Sequence, residues 1–332
     1  MFPDRRAALF PEGHPPVLLL VVDTEEEFEW EVFDRSATSV AAMSEIHRFQ
    51  DVCDEFGAKP TYVVDYPVAT QAEGYEPLRA ISADHRAVIG AHLHPWVNPP
   101  DEEEVGPFNS FPGNLPADLE RAKLSALTDA IERNFGDRPT IYKAGRYGFG
   151  QHTAQTLADL GYMIDMSLCP SFDFREIGGP DFAAEPAGPF WFGETLELPT
   201  TAGFVGYMRG VPALLGLIQS AAGKALRIGG ILGRLGAFDR IRLSPEGDDC
   251  AAHRRLTRTL LADGVSVFTM SLHSPSMKVG GTPYVKTAAA RDAFVESIRS
   301  YLRFFTEELG GRCVTPMEIH ALLAQERRSE SR

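Results

Sequence analysis

Asp23, Thr24, Glu25, Glu26 and Glu27 follow directly on the apolar run Val17 to Val22, so four carboxylates crowd one point of the chain. Crowded carboxylates raise one another's pKa values and suit a general base beside a cation. The same residues satisfy the pattern Thr24-x-x-Glu27, in which the acids do no more than stabilise a helix amino terminus. His92 and His94 stand two apart in GAHLHPW. In extended chain such a pair shares one face, and two imidazoles on one face can reach one metal ion. With a carboxylate they make the open, three-ligand set of a catalytic divalent site, zinc or a similar ion. His273 closes the run SVFTMSL and is a residue type suited to protonating a leaving group. Arg146 lies in KAGRYGFG, where glycines let backbone approach a ligand and a guanidinium can hold a carboxylate. Asp165 and Asp173 follow in GYMIDMSLCPSFDF; each is also an ordinary turn or cap acid, and at most one of them belongs to the chemistry.

These residues need elements that bring them together, and the patterning supplies them. Short β-branched runs alternate with amphipathic segments, the signature of βα units around a parallel sheet. Strands are predicted at Val17 to Val22, Thr61 to Val64, Arg86 to Ala91, Thr140 to Ala144, Tyr162 to Met166, Thr195 to Leu198 and Val265 to Leu272, with a short one starting at Val314. Helices are predicted at Val40 to Phe56, Leu119 to Phe135, His152 to Leu160, Ala288 to Leu309 and Met317 to Gln325. Asp23, the two histidines, Arg146, Asp165 and His273 each fall at or just past the carboxyl end of a predicted strand, where barrel active sites form.

A chain of 332 residues, 44% hydrophobic and 23% charged, can bury a large core and fits one α/β barrel domain over residues 1–332. A net charge of -14 argues against nucleic-acid binding. The amino terminus has no uninterrupted apolar stretch of signal or membrane length, and Cys53, Cys169, Cys250 and Cys313 are widely spaced without a C-x-x-C pair; a cytoplasmic protein in a reducing compartment is the expectation. Residues 203–243 depart from the acidic average: Arg209, Lys224, Arg227, Arg234, Arg240 and Arg242 face only Asp239. We expect a helical insertion covering the barrel mouth, with contact to a membrane surface or lipid-linked substrate as the sharper alternative. Residues 326–332 lack apolar content and are expected to be a disordered tail.

Taken in order, Asp23-Thr-Glu25, the His92/His94 cluster, the turn from Lys143 through Arg146, Gly161-Tyr-Met-Ile-Asp165 and Leu272-His273 resemble the NodB homology domain of polysaccharide deacetylases, over nearly the whole chain. GAHLHPW, the basic insertion and SLHSPSM followed by GGTPYV look closest to the WalW-like branch, associated with lipopolysaccharide biosynthesis. The resemblance implies a distorted (β/α) barrel, a divalent metal such as zinc, and hydrolysis of an N- or O-acetyl group on a carbohydrate. It matches Asp23 to the base, Glu25, His92 and His94 to the metal ligands, and His273 to the acid. It also departs from the family pattern. The second histidine of that pattern stands four residues after the first, where this chain has Trp96; Thr24 replaces a second Asp; and either Lys143 or Arg146 takes the place of the third motif's arginine. Two further functions are compatible with the same sequence: a metal-independent C–N hydrolase of the allantoinase type, and a non-catalytic carbohydrate-binding protein, in which Asp23 and His273 would face no shared pocket. If the chain is an enzyme, Asp23 and His273 should be removable with little cost to stability.

Overall fold

The computed structural model describes the whole chain except residues 1, 12, 30, 31, 220–222, 224, 225, 227, 331 and 332. Its centre is a parallel sheet. The strands are β1 (Arg6–Ala7), β2 (Val17–Thr24), β3 (Thr61–Val64), β4 (Val88–Leu93), β5 (Ile141–Ala144), β6 (Ile164–Asp165), β7 (Phe190–Phe192), β8 (Thr195–Glu197), β9 (Ala202–Val205), β10 (Asp239–Arg242), β11 (Val267–His273) and β12 (Arg312–Cys313). Their order in the main sheet is β1-β7-β8-β6-β5-β4-β3-β2-β11, with β12 on β2, and β6, β5, β4, β3, β2 and β11 run parallel to their neighbours. Between β8 and β11 the gap is bridged by Thr201 N donating to Thr269 O at 3.2 Å, Thr269 N to Thr201 Oγ1 at 2.8 Å, and Ser271 N to Leu243 O at 3.1 Å. These bonds tie the two ends of the parallel sheet together in the manner of a distorted barrel.

β2 shows why the sheet needs two apolar faces. All eight of its residues are buried, as expected of a strand covered on both sides. Val17, Leu19 and Val21 join an inner cluster with Val63, Ile141, Ile164 and Val267, closed by Ile319 and Leu323 of the last helix, while Leu18, Leu20 and Val22 pack outward against helices. Continuing that alternation carries Asp23 to the inner face at the strand's carboxyl end.

Most predicted strands and helices are found within a few residues of their expected positions. The helix Ala117–Phe135 ends at Gly136 in a left-handed conformation (φ 95°), the cap its sequence predicts. The paired short helices Tyr66–Thr70 and Ala72–Ala83 were not anticipated, because Pro67, Gly74 and Pro77 read as breakers. Pro67 instead sits in the first turn, where a missing N–H costs nothing, and Asp65 caps the helix by accepting from Val68 N at 2.8 Å. The helix Cys250–Ala262, capped by Asp249, was also missed.

Two expectations are corrected. The insertion is not wholly helical: it enters through β9 and leaves through β10, an antiparallel pair, with helices Pro212–Gln219 and Ile228–Arg234 between them. Lys224 and Arg227 lie outside the described residues. The last helix, expected to stop at Gln325, spans Pro316–Glu330, so 326–330 are not a disordered tail. Arg327 anchors it by pairing with Glu194 at 2.8 Å and lying over the Trp191 ring.

Candidate active site

A cavity of about 210 Å³ opens at the carboxyl ends of the parallel strands, lined by Asp23, Glu25, His92, His94, Lys143 and His273 with an aromatic rim. Register places these groups. Asp23 of β2 is the Cα partner of His273 of β11, and His92 of β4 is the partner of Lys143 of β5. A one-residue slip in either pair would turn a functional side chain to the other face.

The metal-type residues converge. Glu25, His92 and His94 each offer a ligand atom within 4.8 Å of the others. His92 Nε2 lies 3.6 Å and His94 Nε2 3.4 Å from Glu25 Oε2. Both rings are turned by bonds on the other nitrogen: His92 Nδ1 donates to the Lys143 carbonyl at 2.9 Å, and His94 Nδ1 meets Glu26 Oε2 at 2.8 Å. Nδ1 being the protonated nitrogen, both Nε2 lone pairs are directed at Glu25. Burial holds the imidazoles neutral, His94 falling to about 4 and His92 well below the usual histidine range. Glu25 is pushed the other way by burial and by the neighbouring carboxylates of Glu26 and Asp23, and its buried Oε1 has no hydrogen-bond partner. Two imidazole nitrogens and a carboxylate whose second oxygen lacks a partner make a donor set that a divalent cation would complete.

Trp96 accounts for the altered histidine spacing. It stands where the family pattern has its second histidine, but its ring stacks on His94 (centroids 4.3 Å, planes at 24°) and its Nε1–H donates to Glu26 Oε1 at 2.8 Å. Glu26 is thereby held from two sides, and burial lifts its pKa to about 7. Gly145 completes the support: a Cβ there would come within 2.5 Å of both His94 Cδ2 and the Leu93 carbonyl.

Asp23 and His273, expected from the sequence to transfer protons, lie in a second group. Lys143 Nζ bonds both oxygens of Asp23 at 2.6 Å and Ser271 Oγ at 2.7 Å, all of them buried. Burial raises the Asp23 pKa, but the Lys143 ammonium, by its charge and its hydrogen bonds, outweighs it and holds the group at about 2. Asp23 is therefore charged because a buried lysine needs it, and the expectation that it could be removed at little cost to stability is revised. His273 Nε2 stands 3.7 Å from Asp23 Oδ2, while its Nδ1 is tied to Glu246 Oε2 at 2.6 Å. Glu246 also accepts from the His273 amide at 3.1 Å and from Ser276 at 2.5 Å, and these bonds with the His273 charge keep it ionised despite full burial.

No protein-family model and no curated protein sequence matches the chain. Solved structures do. A protein of Mycobacterium smegmatis described as a polysaccharide deacetylase shares 17% identity at a TM-score of 0.58, over 97% of this chain and 94% of its own. The Puue allantoinase shares 14% identity at 0.54, over 96% and 93%. A protein of Pseudomonas aeruginosa PAO1 described as a polysaccharide deacetylase shares 13% at 0.54, over 93% and 91%. The chain has the polysaccharide deacetylase fold.

Within that deacetylase fold one residue expected at the site, Asp165, stands elsewhere, and Arg146 makes other contacts than those expected. Asp165 is absent from the cavity lining. It accepts from Ser167 Oγ at 2.5 Å, and Ser167 in turn accepts from Ala144 N at 2.7 Å, so Asp165 braces the turn after β5. Arg146 does line the cavity, yet among the described residues it holds no carboxylate: its guanidinium lies 4.2 Å from the Phe111 ring centroid and 4.8 Å from that of Phe33, bonded to Ser110. Lys143, the other cation the sequence left open, holds Asp23. Asp173 pairs with Arg175 in its own loop at 2.7 Å. Glu246, and Asp65, which accepts from the Glu26 amide at 2.8 Å, escaped the sequence reading. Asp65 was findable, since YVVD at the end of β3 repeats the strand-end acid of LVVD at β2; Glu246 lies in a loop, SPEGDD, with nothing to distinguish it.

Proposed function

We propose that this chain is a metal-dependent hydrolase that removes an acetyl group from an N- or O-acetylated carbohydrate. The observation that carries the reading is the meeting, in one cavity, of the Glu25, His92 and His94 donor set with the proton-transfer pair Asp23 and His273. Glu25, His92 and His94 would hold the ion, and their mixture of one carboxylate and two imidazoles favours zinc. When bound, such an ion supplies Lewis-acid polarisation of the acyl carbonyl. The chain's own groups handle the protons. Asp23, oriented by Lys143, whose ammonium Ser271 also holds, takes the proton of the attacking water. His273 gives a proton to the departing nitrogen or oxygen, and Glu246 behind Nδ1 stabilises the imidazolium form. Phe28, Phe111, Tyr147 and Phe174 wall the cavity, shedding water and offering flat faces to a sugar ring.

A separation of 3.7 Å between Asp23 and His273 speaks against the non-catalytic alternative. Hydrolysis of a C–N bond in a non-carbohydrate substrate is the second reading, favoured by the fold likeness to the allantoinase; the complete donor set speaks against its metal-independent form. By the motifs it shares with the WalW-like branch, we assign the substrate to surface polysaccharide or lipopolysaccharide biosynthesis in the cytoplasm. Among the described residues no helix is long and apolar enough to cross a membrane. Access to a lipid-linked substrate would run through the segment 203–243, where Leu217, Ile231 and Leu235 are exposed beside Arg234. Acetate release from a panel of acetylated sugars, nucleotide sugars and lipid-linked sugars tests the reading: release from a carbohydrate supports it, and release of ammonia or a ureido product from a non-sugar amide in its place supports the second.

A further inference from the structure

β10 places Arg240 and Arg242 on one face, opposite the buried Ile241 between them. Such a pair stands about 7 Å apart along a strand. Arg242 lines the catalytic cavity, and its Nη1 donates to the Tyr147 hydroxyl at 3.0 Å. The Tyr147 ring stacks on Phe174 (centroids 5.4 Å, planes at 12°), and Phe174 stacks on Phe172 (5.8 Å, 16°). Arg240 Cζ lies 4.1 Å from the Phe172 centroid. A row of three near-parallel rings therefore runs out of the cavity with a guanidinium at each end. Its inner end reaches the reacting groups, since Lys143 Nζ lies 5.4 Å from the Tyr147 centroid.

Neither guanidinium has a carboxylate within ion-pairing distance among the described residues, whereas Arg35, Arg175, Arg209, Arg254 and Arg299 all have one. Arg240 donates to the Ser171 carbonyl at 3.3 Å and Arg242 feels the more distant Glu246 carboxylate, but guanidiniums beside aromatic faces with no carboxylate in direct contact are suited to bidentate recognition of an oxyanion. The backbone at the foot of the row is also constrained: Tyr147 and Ser171 hold φ of 59° and 65°, left-handed values that non-glycine residues keep only when their surroundings enforce them.

We propose that the substrate is an anionic acetylated glycan, in which Arg242 holds a carboxylate or phosphate of the acylated sugar and Arg240 that of the next unit along the ring row. The proposal rests on the hydrolase reading of the same cavity. Its test is equilibrium binding, which does not require turnover. N-acetylglucosamine, its 6-phosphate and its C6-carboxylate counterpart are titrated calorimetrically into the parent protein, Arg242→Gln and Arg242→Lys. The parent should bind one of the charged sugars at least ~10-fold more tightly than the neutral one, and which one it prefers identifies the anion. Arg242→Gln should abolish that preference, and Arg242→Lys should retain part of it, as expected when a charged hydrogen bond is lost or weakened. A parent with no preference for either charged sugar, or an Arg242→Gln variant that keeps it, overturns the proposal. Preferential binding without deacylation would instead retain the anion site and remove the hydrolase reading.

Discussion

Lys143 is fully buried, and its charge is tolerable there because both oxygens of Asp23 and the Ser271 hydroxyl surround it. Removing one member of such a pair leaves an uncompensated buried charge, at a cost of about 3–5 kcal/mol, on top of the roughly 10²- to 10⁴-fold in rate that a proton-transfer group contributes. Asp23→Asn should therefore lose both turnover and stability. The double variant Asp23→Asn/Lys143→Met should recover much of the stability and none of the turnover, which separates the two roles of one carboxylate. Chemical denaturation and acetate release on the three proteins measure this, and recovery of activity in the double variant would remove Asp23 from the chemistry. The sequence showed that Asp23, Glu25, His92, His94 and His273 have the residue types and strand-end positions for a site. It could not show that Lys143 rather than Arg146 faces Asp23, because both lie in one short stretch, KAGR, and only the pairing of β5 within the sheet brings Lys143 to Asp23.

At the scale of elements, long-range register places the site, and register is what a single sequence reveals least. Individual strands were legible from their β-branched runs; that β11 lies beside β2, making Asp23 and His273 partners, was not. Prolines hid the helices after β3, and Asp165 lies outside the cavity lining, since a strand-end acid can equally brace the neighbouring turn. The helix Ala117–Phe135 carries a related acid. Glu120 is buried against Thr153, and burial, with the Asp165 charge adding to it, raises its pKa from 4.5 to about 7. The folded state then binds the proton more tightly than the unfolded state. The associated stability is fully present below pH 4.5 and is lost as pH rises through 7, an effect on the order of 3 kcal/mol. Glu120→Gln, which cannot ionise, should gain on the parent by up to about that amount at pH 8 relative to pH 5. Urea melts at the two pH values read it, and a difference between the proteins that is the same at both pH values would contradict it.

Across the whole molecule, the chemistry sits at one mouth of the sheet and the least acidic segment hangs beside it. The insertion contributes Arg242 to the cavity while leaving Leu226 and Leu235 each 67% exposed, more than a cover packed onto the barrel would leave. If that surface meets an anionic membrane or lipid-linked substrate, Arg234→Glu should weaken sedimentation with anionic vesicles roughly 5-fold or more, and salt should reproduce the loss by screening. Salt-insensitive sedimentation, equal for parent and variant, would assign the segment to covering alone. The central claim, that Glu25, His92 and His94 bind a divalent ion on which hydrolysis of an acetylated sugar depends, is tested most directly by following acetate release from the acetylated sugar panel after chelation and again after titration of zinc. The account predicts that activity is abolished by chelation and restored at about one equivalent of metal in the parent, with no restoration in the double variant His92→Ala/His94→Ala. Undiminished acetate release from metal-stripped protein, or restoration in that double variant, would contradict it.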